Sequence, residues 1–344
     1  MMLLSMIVAL VPISSVLALP SLVTPAKGVA CASRFGRDCW ETLAPLGGGL
    51  RQEHTAVLLD NKIYVIGGIK PDSSGANQIA TINTVEAYDV SSNSWSNVAP
   101  LPIAMNHGNA AAVNGKIYVL GGLSGNDAGF EGLPNCYVYD PTTDVWTELP
   151  PMPVGTERGS ATMGVKGDTI ILAGGIRLLV PEEGGIQDTV DIVSSYNTVT
   201  GKWTTHPSLP EGREHAGGAV IRDTFYVLGG RFKAQVNVRD TVYALDLKTF
   251  QWSERAGHMP TPRGGVSAAA IGNKIYTFGG EGNLAEGAGF IFNETEVYDV
   301  KLDCWEKRRG MLTPRHGMVA VAVNDKIYTP GGGTVDFAML DILQ

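Results

Sequence analysis

The stretch that decides the fold is KIYVIGG, residues 62–68, because the chain writes it six times. Near copies are KIYVLGG at 116–122, TIILAGG at 169–175, TFYVLGG at 224–230, KIYTFGG at 274–280 and KIYTPGG at 326–332. The first glycines of the pairs, Gly67, Gly121, Gly174, Gly229, Gly279 and Gly331, stand 54, 53, 55, 50 and 52 residues apart. A period near 50 marks repeated structural units, so the 344 residues make one assembly of repeats rather than two ordinary domains.

The same parts recur around each pair. A small-residue stretch such as Ala110-Ala111-Ala112-Val113 meets a turn such as Asn114-Gly115 and then KIYV, which predicts two strands, a and b, in a hairpin. After the glycines comes a loop of variable length, then a third strand, c, such as Thr84 to Asp89, and a Trp opening a fourth strand, d. From Asp89, Asp140, Asn197, Asp246 and Asp299 to the following Trp the distance is always six residues. Fixed spacing means a fixed hairpin, and four antiparallel strands with the small residues innermost describe a propeller blade.

With the double glycine, the Tyr of strand c and the Trp of strand d in hand, residues 40–344 resemble the kelch family. The third copy departs most, with Thr169-Ile170-Ile171-Leu172, and the fourth has Leu245 where others have Tyr. The expected fold is all-β: a six-bladed β-propeller of kelch repeats with four antiparallel strands per blade. The last c strand is expected from Thr334 to Asp341, and no Trp follows it, whereas Trp40 precedes the first pair. The segment from Trp40 to Leu46 matches the other d strands, so the N-terminal strand is expected to complete the last blade and close the ring.

Residues 1–18 are apolar and end in Val16-Leu17-Ala18, which reads as a secretory signal peptide, followed by an N-terminal segment, 19–39, and the propeller. The expected mature protein is secreted, with no stable membrane span. In an oxidising compartment Cys31 and Cys39 could close a small loop, with free thiols the competing reading, and Asn293-Glu294-Thr295 is a glycosylation sequon. The formal charge of -8 argues against general nucleic-acid binding. No spacing suggests zinc, and neither a metal nor a cofactor is expected.

Counting back 16 residues from each first glycine gives Arg51, Met105, Arg158, Arg213, Arg263 and Arg315. Such arginines suit an anion-binding ring, together with His316, or a framework role bonding loop carbonyls. Counting back 14 gives Glu53, His107, Ser160, His215, Gly265 and Gly317, expected on the same strand face as the arginines. These differ between repeats, which makes Glu53, His107 and His215 the candidates for chemistry. The histidines near the a strands fall at mixed offsets, which speaks against a shared metal site.

Three functions follow. The first is a binding module for an extracellular glycan or protein, acting through the loop-bearing face. The second, implied by resemblance to the sialic acid mutarotases of the kelch class, is an isomerase of acidic sugars using Glu53, His107, His215 and nearby arginines. The third is a carbohydrate oxidase resembling galactose oxidase, ranked last because the tyrosines all hold repeated strand positions.

Overall fold

A computed structural model describes residues 39–72, 79–126, 128–181, 184–334 and 339–344. The expected signal peptide and Cys31 lie outside the described residues. Five complete four-stranded antiparallel blades follow one another. The first pairs Thr55–Leu59, Lys62–Ile66, Val85–Asp89 and Ser94–Val98 in chain order. The third, fourth and fifth repeat this order, starting from Thr162–Lys166, Gly217–Ile221 and Ser267–Ile271. In the second, strands b and c run on into long arms, Lys116–Asn126 and Gly129–Asp140, and Ile176–Leu179 from the next repeat pairs onto the latter. The innermost strands touch one another in a closed circuit through Val321–Val323 of the sixth unit.

The glycine pair now has a mechanical reading. In the fifth blade Gly279 has φ 56°, a conformation that suits glycine, and a Cβ there would sit 2.2 Å from the carbonyl oxygen of Arg315. Its neighbour Gly280 donates its N–H to that same oxygen, in the next unit, at 3.0 Å. Gly175 to Arg213, Gly230 to Arg263 and Gly332 to Arg51 repeat the clasp, the last across the seam. Each pair is therefore a joint between neighbouring units.

Tryptophans form the outer joint. Trp95 donates its indole N–H to Ala44 O, Trp146 to Ala99 O, Trp252 to Pro207 O, Trp305 to Gly257 O and Trp40 to Arg309 O. Each bond reaches the end of the preceding d segment, and Trp40 holds the sixth unit's place in this chain. Trp203 has no such partner.

The sixth unit corrects the expectation of six equal blades. Among its described residues only Val321–Val323 and Lys326–Tyr328 form strands, and the next two positions are single bridges, Pro330 to Leu343 and Leu343 to Leu43. The order a, b, c, d is kept, with the N-terminal segment outermost. The c segment begins later than expected. Gly331 N–H bonds Ile342 O as Gly67 N–H bonds Thr84 O, so Leu343 stands where the first blade has Val85.

Cys39 bears a free, exposed thiol, so the expected Cys31 to Cys39 loop is not formed. Cys304, at the start of an outer strand, is disulfide-bonded instead. Cys136 is buried and free, and burial pushes its thiol up to about 12. Among the described residues no helix is long and apolar enough to cross a membrane.

Candidate functional site

The arginines come first because they frame the site. Arg51, Arg158, Arg213, Arg263 and Arg315 are at most 1% exposed. Arg158 Nε donates to Gly174 O at 2.6 Å and Arg263 Nε to Gly279 O at 2.7 Å, so the side chain braces its own blade's first glycine. Arg51 also pairs with Glu86 at 2.6 Å, Arg263 with Glu296 at 2.6 Å, and Arg315 bonds Gln344 Oε1 at 2.8 Å. Enclosed and partnered in this way, they are framework rather than the anion trap considered from sequence.

The residues two places on do not share their face. Glu53, His107, Ser160, His215, Gly265 and Gly317 have φ of 52°, 48°, 50°, 51°, 58° and 61°. Six successive left-handed residues break strand alternation before strand a begins, and turn these positions toward the axis. Their backbones link around it: Glu53 N–H to Gly317 O at 2.7 Å, His107 N–H to Glu53 O and Ser160 N–H to His107 O at 2.8 Å each. Four side-chain-bearing residues accept a conformation that costs roughly 1 kcal/mol or more each. Such strain, repeated around an axis, is a pointer to function.

All six line a cavity of about 260 Å³ at the axis, walled below by small residues such as Ala110 and Gly218. Within it Glu53, His107 and His215 converge, their ligand atoms within 4.8 Å of one another. His107 Nε2 lies 3.1 Å from Glu53 Oε2, and His215 Nε2 3.9 Å from the same oxygen. His316 brings Nε2 to 3.6 Å from Glu53 Oε1 and 3.8 Å from Glu281 Oε2. Gly317 makes this possible, since a Cβ there would meet Glu53 Oε1 at 2.6 Å. His54, at an odd offset, also lines this cavity but stands outside the Glu53, His107 and His215 cluster, and burial lowers its imidazole to about 3.

Sequence reasoning missed Glu214, Arg231 and Glu281, all at most 4% exposed. Arg231 donates through Nε to Glu214 Oε1 at 2.6 Å and through one terminal nitrogen to Glu281 Oε1, while Glu214 Oε2 also accepts from His215 Nδ1. The signal was there: the residue after the glycine pair is Ile69, Leu123 and Ile176 in three repeats but Arg231 and Glu281 in the next two. The apolar three gather with Phe130, Leu179 and Met339 in a buried cluster of their own. The mouth is thus apolar on one side and charged on the other. Against the opposing effect of its burial, His107 first and then His215 and His316 hold Glu53 well below the usual carboxylate range. Burial and Arg231 lower His215. Glu214 is lowered to about 2, its own burial opposed by Arg231 and His215. Tyrosines such as Tyr88, Tyr139 and Tyr298 are packed on the outer tryptophans, and none lines the axial cavity.

Blades of four antiparallel strands about an axis, clasped at double glycines, define a kelch β-propeller. The KLHDC2/KLHL20/DRC7 Kelch-repeats domain family matches residues 35–175 and 182–344, and the chain belongs to the kelch-repeat family. It is similar to Kelch-like protein terF of Aspergillus terreus, 43% identical over 294 residues, which are 84% of this chain and 62% of that protein. Kelch-like protein 25 of Xenopus tropicalis is 28% identical over 67% of this chain and 37% of its own length. Alpha-scruin of Limulus polyphemus is 26% identical over 81% of this chain and 30% of its own. The chain therefore spans between 30 and 62% of these relatives. The solved structure of YjhT superposes with a TM-score of 0.71 at 15% identity, covering 87% of this chain and 95% of that one, a likeness of fold.

Proposed function

We propose that this kelch propeller is a secreted binding module that takes a protein or glycan partner on its loop-bearing face. One observation carries the reading. Among exposed large apolar side chains, Ile186, Val236 and Leu284 stand on the loops between strands b and c of three consecutive repeats. Leu50, Val154 and Leu312 stand on links into strand a, and antiparallel order brings all six to one end of the axis. Apolar groups gathered at one end suit a docking surface. The sixth unit serves the ring as a sixth blade, and a disulfide at Cys304 and an exposed Asn293 in its sequon suit an extracellular protein. The immobilised chain is to be offered a glycan array and a panel of secreted proteins. A ligand kept by Val199→Asp/Leu302→Asp, on the opposite end, and lost by Ile186→Asp/Val236→Asp/Leu284→Asp supports the reading; the reverse pattern, or no ligand, overturns it.

A second reading, an isomerase of small sugars, is favoured by the convergence of Glu53, His107 and His215 on one cavity. The charge there alters its substrate: three carboxylates face one guanidinium, which repels an acidic sugar. Anomer exchange followed by NMR should therefore accelerate for a neutral sugar, if for any, and not for sialic acid.

A further inference from the structure

The hydrogen-bond chain behind each histidine fixes which nitrogen it presents to the cavity. Thr81 donates its hydroxyl to Gly125 O at 2.9 Å, so its oxygen accepts from Asn106 Nδ2 at 2.7 Å. That sets the amide's orientation and turns Asn106 Oδ1 to His107 Nδ1, 2.6 Å away. An amide oxygen only accepts, so His107 carries its proton on Nδ1 and, when neutral, points the lone pair of Nε2 at Glu53. His215 repeats the arrangement with a carboxylate: Nδ1 donates to Glu214 Oε2, and Nε2 faces Glu53. Two imidazole lone pairs and a carboxylate oxygen are thus aimed at one another, within 4.8 Å. A carboxylate or amide oxygen behind Nδ1 is the support that metal-binding histidines ordinarily have.

Charge points the same way. Glu53, Glu214 and Glu281 surround one guanidinium, Arg231, whose charge is met by Glu214 and Glu281 and whose terminal nitrogen lies 3.2 Å from His215 Nδ1. With neutral imidazoles the enclosed group carries two uncompensated negative charges, a costly state away from water. A dication cancels them. Buried His316 stands by with Nε2 beside Glu53 and a Nδ1 that has no partner.

We infer that Glu53, His107 and His215 form a binding site for a divalent transition-metal ion at the propeller axis, open to the cavity on its remaining positions. Two imidazole nitrogens and one carboxylate favour Zn²⁺, Co²⁺ or Fe²⁺ over Mg²⁺ or Ca²⁺, which demand oxygen ligands. The donor atoms close in slightly around the ion, as metal-to-ligand distances of about 2.0–2.2 Å require. The site stands independently of any partner on the loop face.

The test uses the full chain, stripped with a chelator and titrated with Co²⁺ alone. Visible d–d absorption saturating at one equivalent, and displaced by Zn²⁺, is expected. His107→Asn and His215→Asn should each weaken binding by at least about 100-fold; asparagine tolerates the left-handed backbone of both positions, and circular dichroism verifies the fold of each variant. His206→Asn, on an outer strand and stacked on Phe250, should bind as the parent does. No absorption in the unmodified chain, or equal binding in the His107 and His215 variants, overturns the site and leaves a proton-bridged His107–Glu53 pair in its place.

Discussion

The fifth blade and the sixth unit start from nearly the same phrase, KIYTFGG and KIYTPGG, and end differently. In the fifth, four strands pair residue by residue, with Tyr276 opposite both Ala269 and Val297 and Trp305 opposite Tyr298. In the sixth, a hairpin of three-residue strands meets Leu343 and then Leu43, segments from opposite ends of the sequence. Beside this seam lies a cavity of about 490 Å³ lined by Trp40, Tyr276, Phe278 and Tyr328 among others. The difference teaches that the repeated phrase specifies the inner hairpin and its clasp, while the outer pairing of a blade is set by segments outside the phrase.

Removing the outer segment of the seam is the severest way to break the comparison. Deleting residues 40–47 takes away Trp40, the Leu43 to Leu343 bridge and the Leu46 N–H to Asp341 O bond at 2.7 Å. Soluble yield should collapse, or the melting temperature should fall sharply; a deletion that melts like the parent would refute closure of the ring by this segment. The clasps give the next largest effect. Alanine at Gly279 meets a backbone oxygen at 2.2 Å and at Gly331 one at 2.7 Å, both at left-handed φ. In urea titrations Gly279→Ala should cost about 3 kcal/mol and Gly331→Ala about 2 kcal/mol. Equal costs would mean that the seam is as rigid as a complete blade.

This contrast also shows how far the sequence was legible. Repeat number, strand order and the role of Trp40 follow from the spacing of glycines and tryptophans, because inter-blade clasps and indole bonds recur at fixed offsets. The start of the last c segment was not legible: it is expected from Thr334, whereas the bond from Gly331 N–H to Ile342 O sets Leu343 level with Val85 of the first blade. At the site, the offset that varies between repeats picks out Glu53, His107 and His215, whose side chains the structure brings together. Strand alternation then misdirected them, since left-handed φ at Glu53 and His107 has no signature in those residue types, although Gly265 and Gly317 at the same offset carried a hint. Glu214, Arg231 and Glu281 fall outside the two offsets followed in the sequence: Glu214 and Arg231 pair within one repeat, and Glu281 joins them from the next.

Tryptophans sharpen the comparison at smaller amplitude. Trp305, 1% exposed, donates to Gly257 O at 2.7 Å, whereas partly exposed Trp40 donates to Arg309 O at 3.2 Å. Replacement by Phe should cost about 2 kcal/mol at Trp305 and about 1 kcal/mol at Trp40, measured by chemical denaturation. A larger cost at Trp40 would make the seam, not the blade, the tighter joint.

The smallest effect separates the two kinds of arginine brace by pH. Glu211 accepts from Arg239 Nε and a terminal nitrogen at 2.9 Å each and also pairs with Arg213, and these bonds, Arg239's first, lower it to about 2. A carboxyl with a depressed folded pKa stabilises the fold fully above its unfolded value, about 4.5, and loses that contribution as pH falls toward about 2. Because Glu211 is one-third exposed, solvent screening holds the gain to about 1 kcal/mol. Glu211→Gln should therefore lower stability by that amount at pH 7 and by nothing measurable near pH 2. At the seam Arg315 leans on the Gln344 side-chain amide, which does not titrate, so the cost of Gln344→Ala should be the same at both pH values. A seam variant whose cost vanishes in acid would show that some carboxylate, rather than the Gln344 amide, holds Arg315 there.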